Sequence, residues 1–384
     1  MPDRSKVDLA VIGAGLAGSA CLARLKQLGF GGSTAVVEAG RGPGGRTATR
    51  RRRENPDWRL DHGAPGLQLP EHLPSEVEQL LRPLRDQGAL RREWGWITGL
   101  DATGRVVDVP EQHSTKGAWH RGQPTMAHLC EGLLDQASPN LERHFGFRVR
   151  WLEHSDGHWL LMDDTRQTAV EAGTLVMSGT LLAHPRSLSM LAWPDVPLRS
   201  AIPFGQDPAL DEVLQTLASS RADVRWNLML ELPGQVDPNE LLPRQILLNQ
   251  EAQRRWQVDR VVVHPQSDQG LGVVVHGLDS GEPITPTSQT VLLKQEEQRL
   301  MGVLPELLEA FPALKQEMPQ ARSLGVMRWG ASQPMDHPLP ASRQWCSASS
   351  IGFCGDWIEG PGFGRAEAAL RSGVALAERL QARA

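Results

Sequence analysis

The first residues able to do recognisable chemistry are the glycines of VDLAVIGAGLAG, at positions 7–18, followed by the acidic Glu38. A strand-like run precedes the Gly-x-Gly-x-x-Gly spacing and a helix-like run follows it, as in a dinucleotide-binding turn. Gly13 permits a sharp turn, Gly15 lets the main chain approach a pyrophosphate, and Gly18 lets the helix pack close to the strand. The helix N-terminus then binds phosphate, and Glu38 accepts hydrogen bonds from ribose hydroxyls. The alternative is a Gly-rich turn in an unrelated α/β protein.

A second anion-binding pattern lies at residues 40–53, GRGPGGRTATRRRR. Its glycines permit a tight main chain near phosphate, and Arg46 offers two parallel N–H donors to it. The alternative is a surface loop with solvated arginines, which applies above all to Arg50, Arg52 and Arg53. Nucleic-acid binding by this run is disfavoured, because acidic residues lie close by and the whole chain has a formal net charge of -5.

Residues 59–66, RLDHGAPG, are suited to passing close beside a flat ring. Gly63 and Ala64 would present main chain there, with little side chain in the way. Asp61 and His62 fit a turn cap and an exposed imidazole equally well. For His62, the exposed imidazole is the favoured interpretation.

A third pattern lies near the end of the sequence, where the apolar strand SSIGFC is followed by Gly355 and Asp356. The Gly-rich loop IEGPGFGRAE then leads into a helix, whose N-terminus can face an electron-rich ring edge. Asp356 is placed to bind a polyol chain, although a turn aspartate in an ordinary strand-to-helix connection is the alternative. Two such sites at opposite ends of the chain favour FAD, because that dinucleotide is long enough to contact both.

Length and composition predict more than one domain, since single cores rarely exceed about 250 to 300 residues and this chain has 384. Its four cysteines show no metal-binding spacing, which predicts no metal site and a cytoplasmic location. No apolar run is long enough to span a bilayer, and the N-terminus lacks the apolar core of a secretory signal. The chain has twelve tryptophans and no tyrosine, so aromatic pocket walls fall to Trp, Phe or His.

Apolar spacing predicts where the main elements lie. Helical periodicity predicts helices within residues 70–94, 119–137 and 287–311. Alternating residues predict strands through 141–180, with a hairpin turn at Asp156-Gly157.

The predicted fold class is α/β, or α+β overall, with a discontinuous dinucleotide-binding domain. We expect residues 1–70, 120–184 and 325–384 to form the FAD-binding domain. Residues 71–119 and 185–324 would form a mixed-sheet substrate domain.

Six motifs together closely resemble the renalases and the bacterial renalase-like branch of the monoamine oxidase superfamily of flavoproteins. They are VIGAGLAG, EAGRGPGGRTATRR, LDHGAP, RGQPTMAHLCEGL, MRWGASQP and GFCGDWIEGPGFGRAEAALRSG. The resemblance touches both ends and the middle of the chain, and residues 185–320 match only loosely. It implies a Rossmann-like FAD-binding domain of the p-hydroxybenzoate hydroxylase topology, with an inserted substrate domain.

Carried over motif by motif, the resemblance implies which residues contact FAD. Those at the phosphates and the adenosine ribose are Gly13, Ala14, Gly15, Leu16, Ala17, Gly18, Glu38, Ala39, Gly45 and Arg46. Those at the adenine, the ribityl chain and the isoalloxazine ring are Val149, Gly63, Ala64, Trp329, Gly355, Asp356, Arg365, Ala366 and Glu367. Among them, Val149 is expected in a strand, FRVRW, with its main chain on the adenine.

The chain departs from the family pattern at two places beside the expected ring. Pro65 and Gly66 stand where relatives carry an aromatic residue, and Gly330-Ala331 stands where relatives carry a tyrosine. We therefore expect a more open pocket, or one filled by Trp94, Trp96 or Trp119. Neither Cys346 nor Cys354 lies in a motif for covalent flavin attachment, which implies non-covalent FAD and two small core residues.

The resemblance implies hydride transfer from an isomer of dihydronicotinamide to flavin N5, with reoxidation by O₂ and release of H₂O₂. Such an electron-rich donor needs no strong acid or base. The partners would be this small molecule and O₂, with no nucleic acid. A flavin amine oxidase or desaturase, or a non-catalytic flavin-binding relative, is the alternative. Catalytic residues remain unassigned, and the candidates near the ring are His62, Trp329, Arg121 and His120.

Overall fold

The computed structural model describes residues 5–55, 57–93, 95–113, 117–188, 192–233, 242–266, 270–282 and 284–382. The strands are β1 (Ser5–Ile12), β2 (Thr34–Glu38), β3 (Thr49–Arg51), β4 (Arg59–Asp61), β5 (Leu67–Leu69), β6 (Leu90–Arg92), β7 (Trp96–Leu100), β8 (Val106–Val107), β9 (Ala118–Gly122), β10 (Glu142–Phe145), β11 (Trp151–Ser155), β12 (His158–Met162), β13 (Thr168–Met177), β14 (Ala222–Leu232), β15 (Pro243–Leu248), β16 (Val258–Pro265), β17 (Leu271–Leu278), β18 (Arg322–Pro334), β19 (Trp345–Cys346) and β20 (Ile351–Phe353). The α-helices are α1 (Leu16–Gln27), α2 (Ser75–Asp86), α3 (Met126–Asp135), α4 (Pro197–Ala201), α5 (Pro208–Ser219), α6 (Gln250–Trp256), α7 (Gln289–Leu307), α8 (Pro312–Glu317) and α9 (Ala366–Gln381).

The first sheet contains β1, which precedes the Gly-rich turn, and has strand order β10-β2-β1-β13-β12-β11, with β20 also paired to β13. Strands β10, β2, β1, β13 and β20 run parallel, so Ile12, Val37 and Met177 meet at their carboxyl ends. Strands β11 and β12 add an antiparallel hairpin through Asp156 and Gly157, both at positive φ. This matches the predicted hairpin, because Asp and Gly tolerate the left-handed region that a two-residue turn requires.

Apolar residues on both faces of this sheet are buried in separate layers. On one face, Leu9, Val11 and Val36 pack in a core with residues of α1, α2, α3 and α9. On the other face, Ala35 and Val37 belong to a core that includes residues of the β11–β12 hairpin, α4 and α5. Burial on both faces explains why residues 9–12 of β1 and 35–37 of β2 are all apolar.

The second sheet has strand order β18-β14-β17-β16-β15-β7-β8 and is antiparallel except between β15 and β7. One face is apolar and packs against α6, α7 and α8. The opposite face carries a small apolar cluster containing Trp58, Leu60, Met229, Val262 and Val274. Since Trp58 and Leu60 come from the region of β4, this face is turned toward the first part of the chain.

Three segments pack differently from the predicted domain division. Helix α2, predicted in the substrate domain, packs against α1, α3 and α9, and α4 and α5 pack beneath the first sheet. Strand β18, predicted in the FAD-binding domain, lies in the second sheet beside β14. Membership in a core follows from which apolar faces meet, and chain order alone does not reveal it. The predicted α/β fold class, with a Rossmann-like unit and a mixed sheet, is confirmed.

Candidate cofactor and substrate site

The Gly-rich turn between β1 and α1 has the backbone that its glycines predict. Gly13 has a φ of 104°, and a Cβ atom there would lie 2.2 Å from the Ser178 hydroxyl oxygen. A Cβ atom at Gly18 would lie 2.2 Å from the Gly13 carbonyl oxygen. Gly15 forms the N-cap of α1, whose first turn contains no acidic side chain. The helix start therefore carries no acidic side chain of its own beside its free N–H groups.

Ser178 is part of this turn and was missed by the sequence motifs. Its hydroxyl lies 2.9 Å from the Ile12 carbonyl oxygen, to which it donates, and 3.1 Å from that of Gly13. The signal was present in VMSG at the end of β13, because that strand is the parallel neighbour of β1. Of the remaining predicted residues of the turn, Ala14, Leu16 and Ala17 are buried.

Glu38 lies at the carboxyl end of β2, and its carboxylate faces the turn. Oε2 accepts the Ala14 N–H at 3.0 Å, and Oε1 accepts the Gly40 N–H at 2.7 Å. The next residue, Ala39, is exposed. The Glu38 carboxylate thus lies at the opening of the turn, where the sequence prediction places a ribose acceptor.

Arg46 and Asp356, predicted from opposite ends of the chain, form a two-pronged ion pair across 310 positions. Arg46 Nη1 donates to Asp356 Oδ2 at 2.7 Å, and Nη2 pairs with Oδ1. The loop that carries Arg46 is held beside the dinucleotide turn, because the Gly44 N–H donates to the Ala14 carbonyl at 2.9 Å. Gly355, next to Asp356, is buried and donates its N–H to the Ser372 hydroxyl.

Arg186 is a second guanidinium at this place that sequence reasoning missed. Burial, assisted by the charge of Arg46, lowers its pKa to about 10. It remains cationic at neutral pH and donates to the Thr180 hydroxyl. Among the described residues, no carboxylate pairs with it. Arg46 and Arg186 together therefore leave a surplus of positive charge beside the turn, which suits a phosphate.

The DHGA segment lies beside the Arg46 loop through its main chain. The Ala64 N–H donates to the Arg46 carbonyl at 2.8 Å, and the His62 N–H donates to the Ala48 carbonyl at 3.2 Å. Gly63 is buried and Ala64 is half-buried. The main chain of this segment thus packs along the Arg46 loop.

Asp61 is an anchor for the segment, with a residue exposure of only 1%. Its Oδ1 accepts from the Thr49 hydroxyl at 2.6 Å and from the Met126 N–H, at the start of α3, at 3.2 Å. Its Oδ2 accepts from the Arg121 guanidinium at 2.8 and 3.2 Å. Arg121, a catalytic candidate from the sequence, is therefore tied to a buried carboxylate.

The prediction of an exposed imidazole at His62 is wrong, since the residue is buried. Its ring stacks on Trp329 with centroids 5.5 Å apart. The His62 carbonyl accepts from Trp329 Nε1 at 3.2 Å and from Asn227 Nδ2 at 2.7 Å. Burial lowers the pKa of His62 to about 4, so the imidazole is neutral at pH 7. Trp329 and Asn227 reach His62 from β18 and β14, which local sequence could not reveal.

The other residues predicted to contact the cofactor lie after β10 and at the start of α9. Val149 is buried, but it follows β10 in the connection to β11, so its predicted place within a strand is wrong. Arg365 caps the start of α9 and donates to Gln68 Oε1 at 2.9 Å. Ala366 and Glu367 form the first turn of α9, and burial raises the pKa of Glu367.

A cavity of about 20 Å³ opens next to the DHGA segment. Its lining includes Pro65, Trp119, His120, Arg121, Arg244 and His264. Of the tryptophans expected to fill the pocket, Trp119 is therefore at a cavity wall. Trp96 instead packs against Phe311, with ring centroids 6.0 Å apart, and Trp94 lies outside the described residues. Arg244 and His264 were missed, because they lie on strands with no motif of their own.

Other classes of site are not supported within the described part of the chain. No group of three or more His, Cys, Asp or Glu side chains there is placed to hold a metal ion. Within the same residues, no helix is long and apolar enough to cross a membrane. Cys346 and Cys354 are buried, as predicted for core residues, and burial raises the pKa of the Cys346 thiol to about 12.

A family model described as an NAD(P)-binding Rossmann-like domain matches residues 11–84. The fold is similar to that of cyclohexylamine oxidase from Brevibacterium oxydans IH-35A, with a TM-score of 0.64, 13% identity and coverage of 98% of this chain and 99% of that one. It is similar to a putrescine oxidase triple mutant redesigned in cofactor binding, with a TM-score of 0.63, 12% identity and full coverage of both chains.

A flavoprotein/dehydrogenase from Cytophaga hutchinsonii also matches, with a TM-score of 0.55, 16% identity and coverage of 98% of this chain and 78% of that one. No curated protein matches the sequence. The chain therefore contains a Rossmann-like dinucleotide-binding domain and shares its overall fold with these oxidase and flavoprotein structures.

Proposed function

We propose that the protein is an FAD-dependent oxidoreductase of the renalase-like type. The residues present fit FAD, because a helix start without acidic residues and two neighbouring arginines converge on one turn. Glu38 would hold the adenosine ribose, Arg46 and Arg186 the phosphates, and Asp356 the ribityl chain. Bound FAD would accept a hydride from the substrate and be reoxidised by O₂, giving H₂O₂.

The observation that carries the proposal is the contact between Arg46 and Asp356. It joins the two motifs that were predicted independently to hold opposite parts of one dinucleotide. A structural role alone would need neither the adjacent Gly-rich turn nor Arg186, with which no carboxylate pairs among the described residues. The main chain of Gly63 and Ala64, next to the same loop, provides a flat edge for a ring.

The proposed hydride donor is an isomer of dihydronicotinamide dinucleotide. Its oxidation to the pyridinium form releases a hydride and needs no proton removal by the protein. The neutral, stacked His62 is consistent with this, since it contributes a wall and a carbonyl acceptor and no charge. In this proposal, His62 and Trp329 align the substrate, and Asp61 holds the segment that carries them.

An amine oxidase or desaturase is the second candidate, and the fold shared with cyclohexylamine oxidase and putrescine oxidase supports it. The purified protein should be mixed without oxygen with 2- and 6-dihydro isomers of NAD(P)H, ordinary NADH and a panel of amines. Rapid bleaching of the flavin band by an isomer, with NAD(P)⁺ as product, is expected. Bleaching by an amine alone would establish the second candidate. A colourless protein that takes up no FAD would contradict both and favour a non-catalytic relative.

Asp356→Asn tests the cofactor site directly. Removing the carboxylate leaves Arg46 unpaired and removes the acceptor proposed for the ribityl hydroxyls, so we expect FAD retention at least about tenfold weaker. Asp135→Asn is the matched control, because Asp135 pairs with Arg143 at the surface. The measurement is the FAD dissociation constant from flavin fluorescence. Equal retention in both variants would exclude Asp356 from the site.

A further inference from the structure

We propose that the cavity beside Pro65 binds an oxyanion group of the substrate, a phosphate or a carboxylate, through Arg244 and His264. This rests on the proposed function, because the cavity adjoins the segment assigned to the ring. Its volume of about 20 Å³ excludes an aromatic ring, so only a small polar group at the end of a substrate could enter it. The oxyanion would therefore fix one end of a substrate whose reacting part lies elsewhere.

Arg244 provides the charge. It lies on β15, and burial lowers its pKa while the charge of Glu93 acts in the opposite direction. Within the described residues, its half-buried guanidinium forms no hydrogen bond and no ion pair. Glu93 lines the same cavity, but its Oε1 accepts the Gly95 N–H at 3.1 Å and it does not reach Arg244.

His264 provides a directed donor. The residue is only 2% exposed, and its Nδ1 accepts from Arg121 Nη2 at 3.0 Å. Burial keeps the pKa of His264 well below its usual value, with the charges of Arg121 and Arg244 adding to this and the Asp61 main chain opposing it. A neutral imidazole whose Nδ1 accepts carries its proton on Nε2. That Nε2–H has no hydrogen-bond partner of normal geometry among the described residues, although the Asp61 main chain lies close enough to act on the ring.

The chemistry of these groups selects an anion over an amine. Arg244 and the His264 Nε2–H both donate, and the facing Arg121 is already neutralised by Asp61. A protonated amine would meet these donors, and the one carboxylate of the lining, that of Glu93, already accepts the Gly95 N–H. The phosphates of a dihydronicotinamide dinucleotide meet the requirement, and so does the carboxylate of an organic acid.

The test is calorimetric binding of probe anions to the FAD-loaded protein at constant ionic strength. Inorganic phosphate, pyrophosphate, acetate and succinate are compared with neutral acetamide. We expect an anion to bind wild type, and Arg244→Gln to weaken that binding at least about tenfold. Arg244→Lys should retain part of the affinity, which also guards against a misfolded glutamine variant. Arg254→Gln, at an exposed site on α6, should bind as wild type does.

Comparing the affinities of the phosphate probes with those of the carboxylate probes distinguishes the two kinds of substrate. Tighter binding of phosphate or pyrophosphate assigns a phosphorylated substrate, and tighter binding of acetate or succinate assigns an organic acid. Binding of no anion, or equal binding by wild type and Arg244→Gln, would overturn the proposal. Calorimetry needs no turnover, and FAD content is read from the flavin absorbance of each sample. If the protein takes up no FAD, anion binding that is lost in Arg244→Gln would refute the proposed function while supporting this site.

Discussion

The two sheets bury their faces in different ways. Both faces of the first sheet are apolar, and each is covered by its own layer. The second sheet has one apolar face against helices, and its other face carries Arg225, Asn227, Gln245, His264 and His276 as well as apolar residues. The first sheet thus contributes mainly apolar packing, and its loops carry the candidate cofactor residues. The polar face of the second sheet is where side chains can act on a ligand.

Burial of polar side chains on this face of the second sheet and near it is unfavourable, and the pKa values of the buried histidines reflect this. Burial lowers the pKa of His113 to about 4 and that of His276 to about 3. His276 Nε2 and Asn227 Oδ1 are buried without a hydrogen-bond partner in the described residues. Such groups lose hydration on folding and recover little in return. Buried polar side chains that lose hydration without gaining hydrogen bonds, all on one face of the second sheet, indicate a binding surface.

The largest expected effect comes from breaking the buried pair that joins the polar face to the first part of the chain. Asp61→Ala leaves Arg121 buried without its carboxylate, and we expect the free energy of unfolding to fall by about 3 to 5 kcal/mol. Asp135→Ala removes a surface pair, in which the aspartate side chain is 62% exposed, and should cost less than about 1 kcal/mol. Urea unfolding measures both. Similar losses in the two variants would show that burial of the Asp61 pair is unimportant.

The next prediction compares the loss of stability from a substitution in the apolar core of the first sheet with that from one on the polar face of the second sheet. Leu175→Ala in β13 opens a cavity in the first sheet and should cost about 2 to 5 kcal/mol. His276→Leu replaces a partly unpaired buried ring by an apolar side chain, and should be neutral within about 1 kcal/mol or stabilising. Thermal and urea unfolding check both variants. A large loss for His276→Leu would mean that its ring is fully satisfied in the folded protein.

The smallest effect is in the pH dependence of stability. His62, His113 and His276 have lowered pKa values in the folded state, so below pH 6.5 the unfolded chain binds more protons than the folded one. The contribution of these histidines to the free energy of unfolding is therefore largest near pH 7 and falls as the pH decreases from 6.5 toward 4.

His276→Leu should remove about 1 to 2 kcal/mol of that loss between pH 7 and pH 5. His158→Gln, at an exposed hairpin position, should leave the pH profile unchanged. The measurement is the free energy of unfolding across this range. Parallel profiles for wild type and His276→Leu would show that His276 titrates normally.

Much of the first sheet was predictable, because its information is local. The periodicity that predicted a helix over part of residues 70–94 corresponds to α2, whose Val77, Leu80 and Leu84 are buried. The Gly spacing predicted the β1–α1 turn, and Asp156-Gly157 predicted the hairpin. Domain membership was less predictable, since α2 and β18 joined cores through contacts with distant segments.

The sequence by itself determined the Rossmann-like turn, the acidic residue after β2 and the alternation of strands and helices, because each depends on neighbouring residues and backbone preferences. Only the tertiary structure decided that Arg46 meets Asp356, that His62 is buried against Trp329, and that Arg244 and His264 line one cavity. Burial and charge pairing depend on which faces pack together, and the residues involved lie hundreds of positions apart. No local pattern encodes that packing.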